Sequence, residues 1–265
     1  MNVSPNISII FVNYRSAVYL QKALMSLFHF EQDTDFFEVI VVNNDPTENT
    51  VLRALQKEYP FLLIESGANL GFGRASNLGA TKARGAILTF INPDVVWLKR
   101  CTEEIALIFD NNQTIGVVGM ALLTEDQKPE PWSAGRAPSI GRLLLNNIMG
   151  DRQCLRAYRS LTPVDWVSGG GLSVRKDLFS VIGGFDERFF LYFEDVDLCT
   201  EVRQRGFSVV RHPDIPLLHF GGKSKYSTYL QKKHFYTSQK QYFNKWRPFW
   251  ERRMLSWFQF FYCRY

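Results

Sequence analysis

The sequence lacks the cysteine pattern of a disulfide-rich or zinc-binding protein. Its four cysteines, Cys101, Cys154, Cys199 and Cys263, are far apart and form no Cys-x-x-Cys pair. Neither a disulfide framework nor a zinc knuckle is therefore indicated. We predict reduced and mostly buried thiols.

Long apolar runs and targeting signals are also missing. The first six residues carry no basic stretch, and the apolar run at residues 7–12 is too short for a signal-peptide core or a membrane span. The sequence contains no internal repeat and no low-complexity tract. These absences predict a cytoplasmic protein with an ordinary folded core.

Glycine is absent from residues 13–16, which follow the first β-rich run. A nucleotidyltransferase would normally carry a glycine-rich loop with Lys or Arg at this point to grip a triphosphate. The loop therefore argues against that class of enzyme.

The chain is large enough for one full core with an appendage, because it has 265 residues of which 46% are hydrophobic. Its net charge of +5 is unevenly distributed. Residues 223–265 contain ten Lys or Arg and one acidic residue, whereas residues 1–222 carry a net charge of −4. We predict an α/β domain at residues 1–222 and a basic helical extension at residues 223–265.

The extension is also rich in aromatic residues, with 15 of the 39 in the chain. On a helical wheel one face carries Trp250, Met254, Trp257, Phe258 and Phe261, and the opposite face carries Arg252, Ser256, Gln259 and Cys263. Two interpretations stay open, because this aromatic face either lies at a membrane surface or packs on the body. Basic and aromatic residues also suit stacking on single-stranded nucleic acid, but we predict no nucleic-acid partner.

β-Rich runs alternate with helical periodicities in the first third of the chain. The runs lie at residues 7–12, 38–42, 61–64 and 86–91, and the helical patterns at residues 18–27, 51–59 and 75–83. This alternation, with nearly continuous apolar strands, predicts an α/β fold with a mostly parallel sheet flanked by helices. Residues 124–160 show no regular pattern, and we expect a flexible loop over the site there.

Polar residues stand where three of these strands end, at Asn13, Asn43 and Asp94. Any one of these loops is explained by the preference of Asn and Asp for turns. Ligands bind beyond the carboxyl ends of parallel strands. Three such ends together therefore predict a binding site that offers amide and carboxylate groups.

Seven motifs occur in an order typical of one enzyme family. They are residues 9–14 (IIFVNY), 69–73 (NLGFG) with Asn77, 90–94 (FINPD), 164–166 (VDW), 183–187 (GGFDE), 190–198 (FLYFEDVDL) and 219–224 (HFGGKS). On these motifs the chain resembles family 2 glycosyltransferases, and within that family the rhamnosyltransferase-like enzymes of bacterial O-antigen and related surface polysaccharides. The resemblance implies a GT-A fold, which is Rossmann-like, and sugar transfer from a nucleotide-sugar donor.

The resemblance also implies a set of donor-binding residues: Asn13, Tyr14, Asn43, Asn44, Gly71, Phe72, Asn77 and Asn92. Many relatives have Asp at the position of Asn43, where its carboxylate binds the imide N–H of a pyrimidine. The oxygen of Asn43 accepts the same hydrogen bond without charge assistance. A pyrimidine-diphosphate sugar is therefore expected, with dTDP-rhamnose as the best candidate.

A divalent cation, Mg²⁺ or Mn²⁺, is expected because the departing diphosphate carries negative charge that a hard cation stabilises. The acidic Asp-x-Asp motif of the family is reduced here to Asn92-Pro93-Asp94, which leaves Asp94 as the single carboxylate ligand. By resemblance, His219 would be a second ligand through a neutral ring nitrogen. The alternative for His219 is a hydrogen-bonded structural histidine.

Inversion at the sugar carbon requires a base that removes the proton of the acceptor hydroxyl. The resemblance assigns this role to Asp195, at the start of a predicted helix. Alternatively Asp195 only caps that helix, with Glu194 or Asp197 nearer the chemistry. Glu194 and Trp166 are candidates for acceptor binding, although Trp166 fits a buried core position equally well.

Together these features predict a metal-dependent inverting glycosyltransferase that acts on a polyprenyl-linked saccharide. The basic and aromatic extension places it peripherally on the inner face of the plasma membrane. A second class of function stays open, namely a non-catalytic scaffold that binds saccharides or nucleotide sugars. The reduced motif at residues 92–94 is the feature that favours the scaffold.

Overall fold

The computed structural model describes residues 5–149, 161–221 and 228–262. Its first elements are β1 (Ile7–Asn13), α1 (Ala17–Phe30), β2 (Phe37–Asn43), α2 (Asn49–Glu58), β3 (Leu62–Glu65), α3 (Phe72–Ala80) and β4 (Ile87–Ile91). The four strands are parallel and lie in the order β3, β2, β1, β4. The predicted alternation of strands and helices is confirmed here.

The apolar sequence of β1 follows from burial on both of its faces. Ile9 and Phe11 pack in one hydrophobic cluster with residues of α1, whereas Ile10 and Val12 pack in a second cluster on the side of α3. Successive side chains of a strand point to opposite faces, so a strand covered on both sides is apolar at most positions. The one buried polar residue of β1 before Asn13, Ser8, donates a hydrogen bond to Glu38. Strand β1 ends at Asn13, at the edge where the site lies.

The second half of the sheet is mixed rather than parallel. Its elements are β5 (Val95–Trp97), α4 (Thr102–Asn111), β6 (Ile115–Leu123), β7 (Ala134–Gly135), α5 (Ile140–Met149), β8 (Thr162–Val164), β9 (Trp166–Val167), β10 (Gly171–Arg175), α6 (Lys176–Ile182), α7 (Glu194–Gln204) and β11 (Ser208–His219). Strand β10 runs antiparallel between β4 and β6. Strand β11 is parallel to β6 and antiparallel to β5 and β8.

The expectation of an irregular loop over residues 124–160 is wrong in part. The structure describes this stretch as far as residue 149 and finds β7 and the helix α5 within it. Helix α5 forms because Ile140 and Leu143 pack against the C-terminal helices, a contact that local sequence does not reveal. The remainder of that stretch lies outside the described residues.

The C-terminal extension forms two helices, α8 (Thr228–Trp246) and α9 (Phe249–Tyr262). Their inner faces pack on the body, where Tyr242, Phe243 and Leu255 are 1%, 0% and 3% exposed and share a cluster with Phe193 and Val196. The division of the chain at residue 222 stays a prediction. In the described part of the chain, no helix is both long and apolar enough to cross a membrane.

The aromatic face predicted for the extension does not pack on the body at three of its positions. Trp250, Met254 and Trp257 are 56%, 37% and 57% exposed. Phe258 departs from that prediction because it packs inward with the cluster around Leu255. The side chain of Phe261 and the whole of Cys263 lie outside the described residues.

Cys101 and Cys199 are buried free thiols, as predicted for them. Burial raises the pKa of both thiols far above the ordinary value. Cys154, like Cys263, lies outside the described residues.

Candidate active site

The loops that follow β1 and β2 meet through the side chains of Asn13 and Asn43. Nδ2 of Asn13 donates to Oδ1 of Asn43 at 3.0 Å, and the backbone N–H of Asn44 donates to the carbonyl of Asn13 at 2.8 Å. The parallel register pairs Asn13 directly with Asn43. The predicted convergence of these two strand ends is therefore confirmed.

All hydrogen-bonding positions of the Asn43 amide are occupied within the protein. Oδ1 accepts from Asn13 and from the backbone N–H of Asp45, and Nδ2 donates to the carbonyl of Asp45 and to Oδ1 of Asn49. An Asn side chain offers two donors and two acceptor lone pairs. Direct binding of a pyrimidine by Asn43 stays a prediction, and it requires one of these bonds to open.

Glu48 is a residue of this loop cluster that sequence reasoning missed. Its carboxylate accepts from Nδ2 of Asn13 at 2.8 Å and from the backbone N–H groups of Ser16 and Ala17 at 3.0 and 3.3 Å. It thus satisfies free N–H groups at the start of α1, whose first turn has no acidic residue of its own. The absence of an acidic residue from the first turn of α1 is the sequence signal that could have pointed to a carboxylate such as Glu48.

Helix α3 begins where Gly71 passes close to the chain segment before α7. A Cβ atom at Gly71 would lie 2.3 Å from the carbonyl oxygen of Phe190, and Gly71 has a φ of +81°. Both conditions favour glycine. Nδ2 of Asn44 donates to the Gly71 carbonyl at 3.1 Å, so the predicted donor residues Asn44 and Gly71 are in contact.

Asn77 holds the turn at residues 183–185. Its Oδ1 accepts from the backbone N–H of Phe185 at 2.8 Å, and its Nδ2 donates to the Phe185 carbonyl at 2.9 Å. These bonds anchor the GGFDE motif to α3. The predicted approach of Asn77 to the ribose and diphosphate is untested, and in this arrangement its amide serves the backbone.

The predicted metal ligands Asp94 and His219 lie side by side although they are far apart in sequence. Strand β5 pairs antiparallel with the end of β11, with Val95 opposite His219. The residue before β5 therefore meets the last residue of β11. Nε2 of His219 lies 3.2 Å from Oδ1 of Asp94.

Glu130 completes this group and was not predicted. Its Oε2 accepts a hydrogen bond from Nδ1 of His219 at 2.7 Å. After β6 the chain turns back, and the backbone N–H of Glu130 donates to the carbonyl of Leu122 in β6. Strand β6 pairs with β11, which ends at His219, so Glu130 lies one strand away from His219. Burial acts to lower the pKa of His219, but the hydrogen bonds and charges of Asp94 and Glu130 outweigh it and raise the pKa to about 10.

The raised pKa keeps His219 protonated, with Nε2 facing Asp94. Once Nε2 loses its proton, the pair offers one carboxylate oxygen and one imidazole nitrogen to a cation. Among the described residues there is no group of three His, Cys, Asp or Glu side chains placed to hold a metal. Two protein ligands nevertheless suit a divalent ion that takes its other ligands from water and substrate phosphates. Glu130 accepts from the other ring nitrogen of His219, as the carboxylate that orients a metal-binding histidine commonly does.

Asp195 lies at the first turn of α7, and backbone N–H groups hold both of its oxygens. Oδ2 accepts from Gly169 at 2.9 Å and Oδ1 accepts from Val196 at 2.8 Å. Burial raises the pKa of Asp195, and these N–H groups counteract part of that rise. Asp195 can both cap α7 and act as a base, because its carboxylate is held at the start of this helix and also borders the cleft.

Glu194 is more deeply placed than Asp195, being 5% exposed. Its Oε2 is buried and has no hydrogen-bond partner among the described residues. Burial and the adjacent Asp195 carboxylate raise the pKa of Glu194 well above its usual range. The preceding residues, Tyr192 and Phe193, have φ angles of +68° and +67°, a strained backbone of the kind found at functional sites.

One glycine-containing loop connects the Asp195 region with the Asp94 region. The backbone N–H of Gly169 binds Asp195, and the carbonyl of Gly170 accepts from the N–H of Asn92 at 3.4 Å. A Cβ atom on Gly169 would lie 3.0 Å from the ring of Phe72. The loop thus contacts both the Asp195 carboxylate and the segment that carries Asp94.

A cleft of about 1120 Å³ lies beside Asp195 and His219. Of the predicted site residues it is lined by Phe72, Asn92, Trp166, Glu194, Asp195 and His219. The other predicted positions, namely Asn13, Tyr14, Asn43, Asn44, Gly71, Asn77 and Asp94, do not line it. Trp166 is half-buried, and its Nε1 donates to the carbonyl of Arg136 at 3.0 Å. This hydrogen bond fixes the orientation of the indole ring in the wall of the cleft.

The fold is that of the GT-A glycosyltransferases, as the motifs predicted. Over 91% of this chain it matches the solved structure of the mannosyltransferase PcManGT from Pyrobaculum calidifontis in complex with GDP-Man and Mn²⁺, with a TM-score of 0.63. The two sequences are 18% identical, and the match covers 64% of that chain. This likeness concerns the fold alone.

Sequence comparison identifies the family. The family model described as glycosyl transferase family 2 matches residues 8–178. The N-acetylglucosaminyl-diphospho-decaprenol L-rhamnosyltransferase of Mycobacterium tuberculosis is 30% identical over 232 residues, which cover 80% of this chain and 75% of that protein. Rhamnosyltransferase WbbL of Escherichia coli is 25% identical, with 80% and 82% covered. The chain therefore belongs to glycosyl transferase family 2, and the resemblance seen in the motifs is confirmed.

Proposed function

We propose that this family 2 enzyme moves a sugar, with inversion, from a nucleoside-diphosphate sugar to a lipid-linked saccharide. The observation that carries the proposal is one cleft lined both by the held carboxylate of Asp195 and by His219, whose Nε2 lies 3.2 Å from Asp94 behind the lining. Rhamnose from dTDP-rhamnose is the best candidate, because two relatives are rhamnosyltransferases. The name of the mycobacterial relative supports an acceptor built on a polyprenyl diphosphate.

Asp195 would act as the general base. Each of its oxygens accepts one backbone N–H and retains a lone pair for the acceptor hydroxyl. As the acceptor oxygen bonds to the sugar carbon, its proton moves to Asp195, and the bond from that carbon to the phosphate oxygen breaks. The nucleoside diphosphate then leaves with the bonding electrons. The N–H groups fix the carboxylate, so little reorganisation is needed.

Asp94 and His219 would hold Mg²⁺ or Mn²⁺ together with the diphosphate of the donor. The bound cation supplies positive charge that stabilises the leaving diphosphate. Glu130 would orient His219 by accepting the hydrogen bond of Nδ1–H, and Nε2 would act as a ligand after losing the proton that faces Asp94. The Mn²⁺ in the solved structure of the mannosyltransferase supports this assignment.

The exposed face of α9 would place the enzyme on the membrane that contains its acceptor. Phe249, Trp250, Trp257 and Phe260 are all more than half exposed, and Arg253 is exposed beside them. Aromatic rings at the headgroup level and cations near anionic lipids are the usual elements of interfacial binding. Peripheral association with the inner face of the plasma membrane follows from this proposal.

The decisive test incubates the purified chain with Mg²⁺ or Mn²⁺, candidate nucleotide sugars and a polyprenyl-diphospho-N-acetylglucosamine acceptor. We expect transfer from dTDP-rhamnose, with the anomeric configuration inverted in the product by NMR. Calorimetry should show donor binding that depends on the metal. Absence of transfer from every donor, together with absence of metal-coupled binding, would instead identify a non-catalytic scaffold.

A further inference from the structure

The cleft extends well beyond the residues that the transfer reaction uses. Its volume of about 1120 Å³ exceeds the ~300–1,000 Å³ typical of a pocket for a drug-sized ligand. The predicted donor residues after β1 and β2 do not line it. Of the predicted donor residues only Phe72 and Asn92 line it, and much of the lining comes instead from residues 130–144 and from α8 and α9.

One part of the cleft, which we call the apolar arm, lies between α5, α8 and α9. It is lined by Ile140, Leu143 and Leu144 of α5, Phe235 of α8, and Leu255 and Phe258 of α9. Leu144 and Phe235 are 41% and 39% exposed, so apolar surface remains open to solvent there. Exposed apolar surface that continues into an active-site cleft is typical of a binding groove.

The same helix forms a wall of the apolar arm and the aromatic outer surface. Leu255 of α9 is 3% exposed and faces inward, whereas Trp250 and Trp257 are 56% and 57% exposed on the outer side. If α9 lies at the membrane surface, the arm lies one helix width away from the lipid. A lipid-attached substrate can then reach the cleft without leaving the interface.

Two cationic side chains line the cleft together with the apolar arm. Arg136 precedes α5 and Arg142 lies within it. The side chain of Arg136 is 65% exposed, and its ion pair with Asp165 is long, at 3.6 Å. Arginine is well suited to bind phosphate oxygens, whereas the carboxylates of Glu194 and Asp195 at the catalytic end would repel them.

We propose that the apolar arm binds the first isoprene units of the polyprenyl chain of the acceptor, while Arg136 and Arg142 contact the diphosphate that joins this chain to the saccharide. Arg136 precedes α5 of the arm, and its carbonyl accepts from Nε1 of Trp166, three residues before Gly169, which binds Asp195. Apolar arm, Arg136 and Asp195 thus follow the order of lipid, diphosphate and saccharide in such an acceptor. This inference rests on the proposed function. It adds a binding site for the polyprenyl chain, which we call the chain-binding site. Binding of the polyprenyl chain there determines how the saccharide is positioned relative to Asp195.

Neighbouring leucines of α5 provide a matched pair of variants for the test. Leu144 lines the cleft, whereas Leu145 does not, and the two are 41% and 44% exposed. Leu144→Glu places a charge in the arm, and Leu145→Glu places the same charge beside it. Leu144→Trp fills the arm without adding charge. Thermal melting of all variants checks that the fold is retained.

Two measurements use these variants. The first is binding of fluorescent farnesyl diphosphate, which has the isoprenoid and diphosphate but no saccharide. The second is the ratio of kcat/KM for a polyprenyl-linked acceptor to kcat/KM for a short soluble acceptor with the same saccharide. We expect Leu144→Glu and Leu144→Trp to weaken binding and lower the ratio about tenfold, equivalent to ~1.4 kcal/mol, and Leu145→Glu to match the wild type.

The outcomes separate this inference from the function on which it rests. If the wild type transfers sugar to both acceptors while the Leu144 variants match it in binding and in ratio, the chain-binding site is overturned and the transferase stands. Equal losses in the Leu144 and Leu145 variants would also overturn it, because they indicate general surface contact. If farnesyl diphosphate binds and is lost only in the Leu144 variants but no sugar is transferred, the proposed reaction fails and the lipid site stands.

Discussion

Asp195 combines a fixed position with an environment that makes it a stronger base than an exposed aspartate. Asp195→Asn keeps the shape of the side chain and its bond from Gly169 but removes the proton acceptor. We expect kcat to fall ~10²–10⁴-fold, as for other general bases, with donor binding unchanged by calorimetry. The exposed Asp214→Asn is the control. Full activity in Asp195→Asn would contradict the mechanism.

The dependence of activity on pH follows from the environment of Asp195. Burial raises its pKa above the ordinary value of ~3.9 for Asp. Only the ionised carboxylate accepts a proton, so activity is present above the raised pKa and is lost as the pH falls through it. We expect the acidic limb of a kcat/KM profile, measured at saturating metal, to lie above pH ~4. A limb at or below that value would show that the base is another group or is not desolvated.

For Glu130 we predict an effect on metal affinity and not on the sugar-transfer step itself. Glu130→Ala removes the acceptor for Nδ1 of His219, so the ring loses its orientation. Loss of such a partner typically weakens metal binding ~10–100-fold. Calorimetry of Mn²⁺ with nucleoside diphosphate measures the change, with the exposed Glu58→Ala as control. Equal Mn²⁺ affinity in the two variants would show that Glu130 does not orient a metal ligand.

At the scale of elements, α8 is joined to α7 by an ionic cluster around Lys245. Its Nζ lies 2.8 Å from Asp197, 3.1 Å from Asp186 and 3.3 Å from Glu201. Nε1 of Trp246 donates to the other oxygen of Asp197 at 2.6 Å. The pKa of Asp186 is held below its usual range, first by Arg188 and also by Lys245. The extension is therefore attached directly to α7, the helix whose first turn contains Asp195.

Removing the charge of Lys245 should destabilise the whole protein. Lys245→Met leaves the carboxylate of Asp197, which is 2% exposed, without its cation. Breaking a buried pair in this way costs ~3 kcal/mol of unfolding free energy, measured by urea titration. Lys240→Met on the exposed side of the same helix is the control. A loss no greater than that of the control would show that the cluster contributes little.

At the scale of the whole molecule, the proposed membrane association depends on the outer face of α9. The double variant Trp250→Glu, Trp257→Glu replaces two rings that are 56% and 57% exposed, so its folding should be normal. We expect it to move from the pellet to the supernatant in sedimentation with anionic vesicles, because apolar insertion is lost. Leu107→Glu on α4, where Leu107 is 56% exposed, is the control. Unchanged sedimentation of the double variant would exclude α9 as the membrane contact.

The same scale shows which parts of the architecture local pattern predicts. Strands β1, β2 and β4 and the helices between them were predicted because each carries its own periodicity. The helix α5 was not predicted because its apolar side chains pack against α8 and α9, which lie far along the chain. Similarly, the short sequence of β10 does not indicate that this strand runs antiparallel. This direction follows from the neighbours β4 and β6.

Local pattern alone establishes the family, the order of the motifs and the residue types of the site. It also predicts Asp195 near a helix start and Asp94 in the loop after β4, and both lie there. Which groups meet depends on the tertiary fold. It brought Glu130 to His219, saturated the amide of Asn43 and turned the tryptophans of α9 outward, because hydrogen bonds and burial are settled between segments distant in sequence.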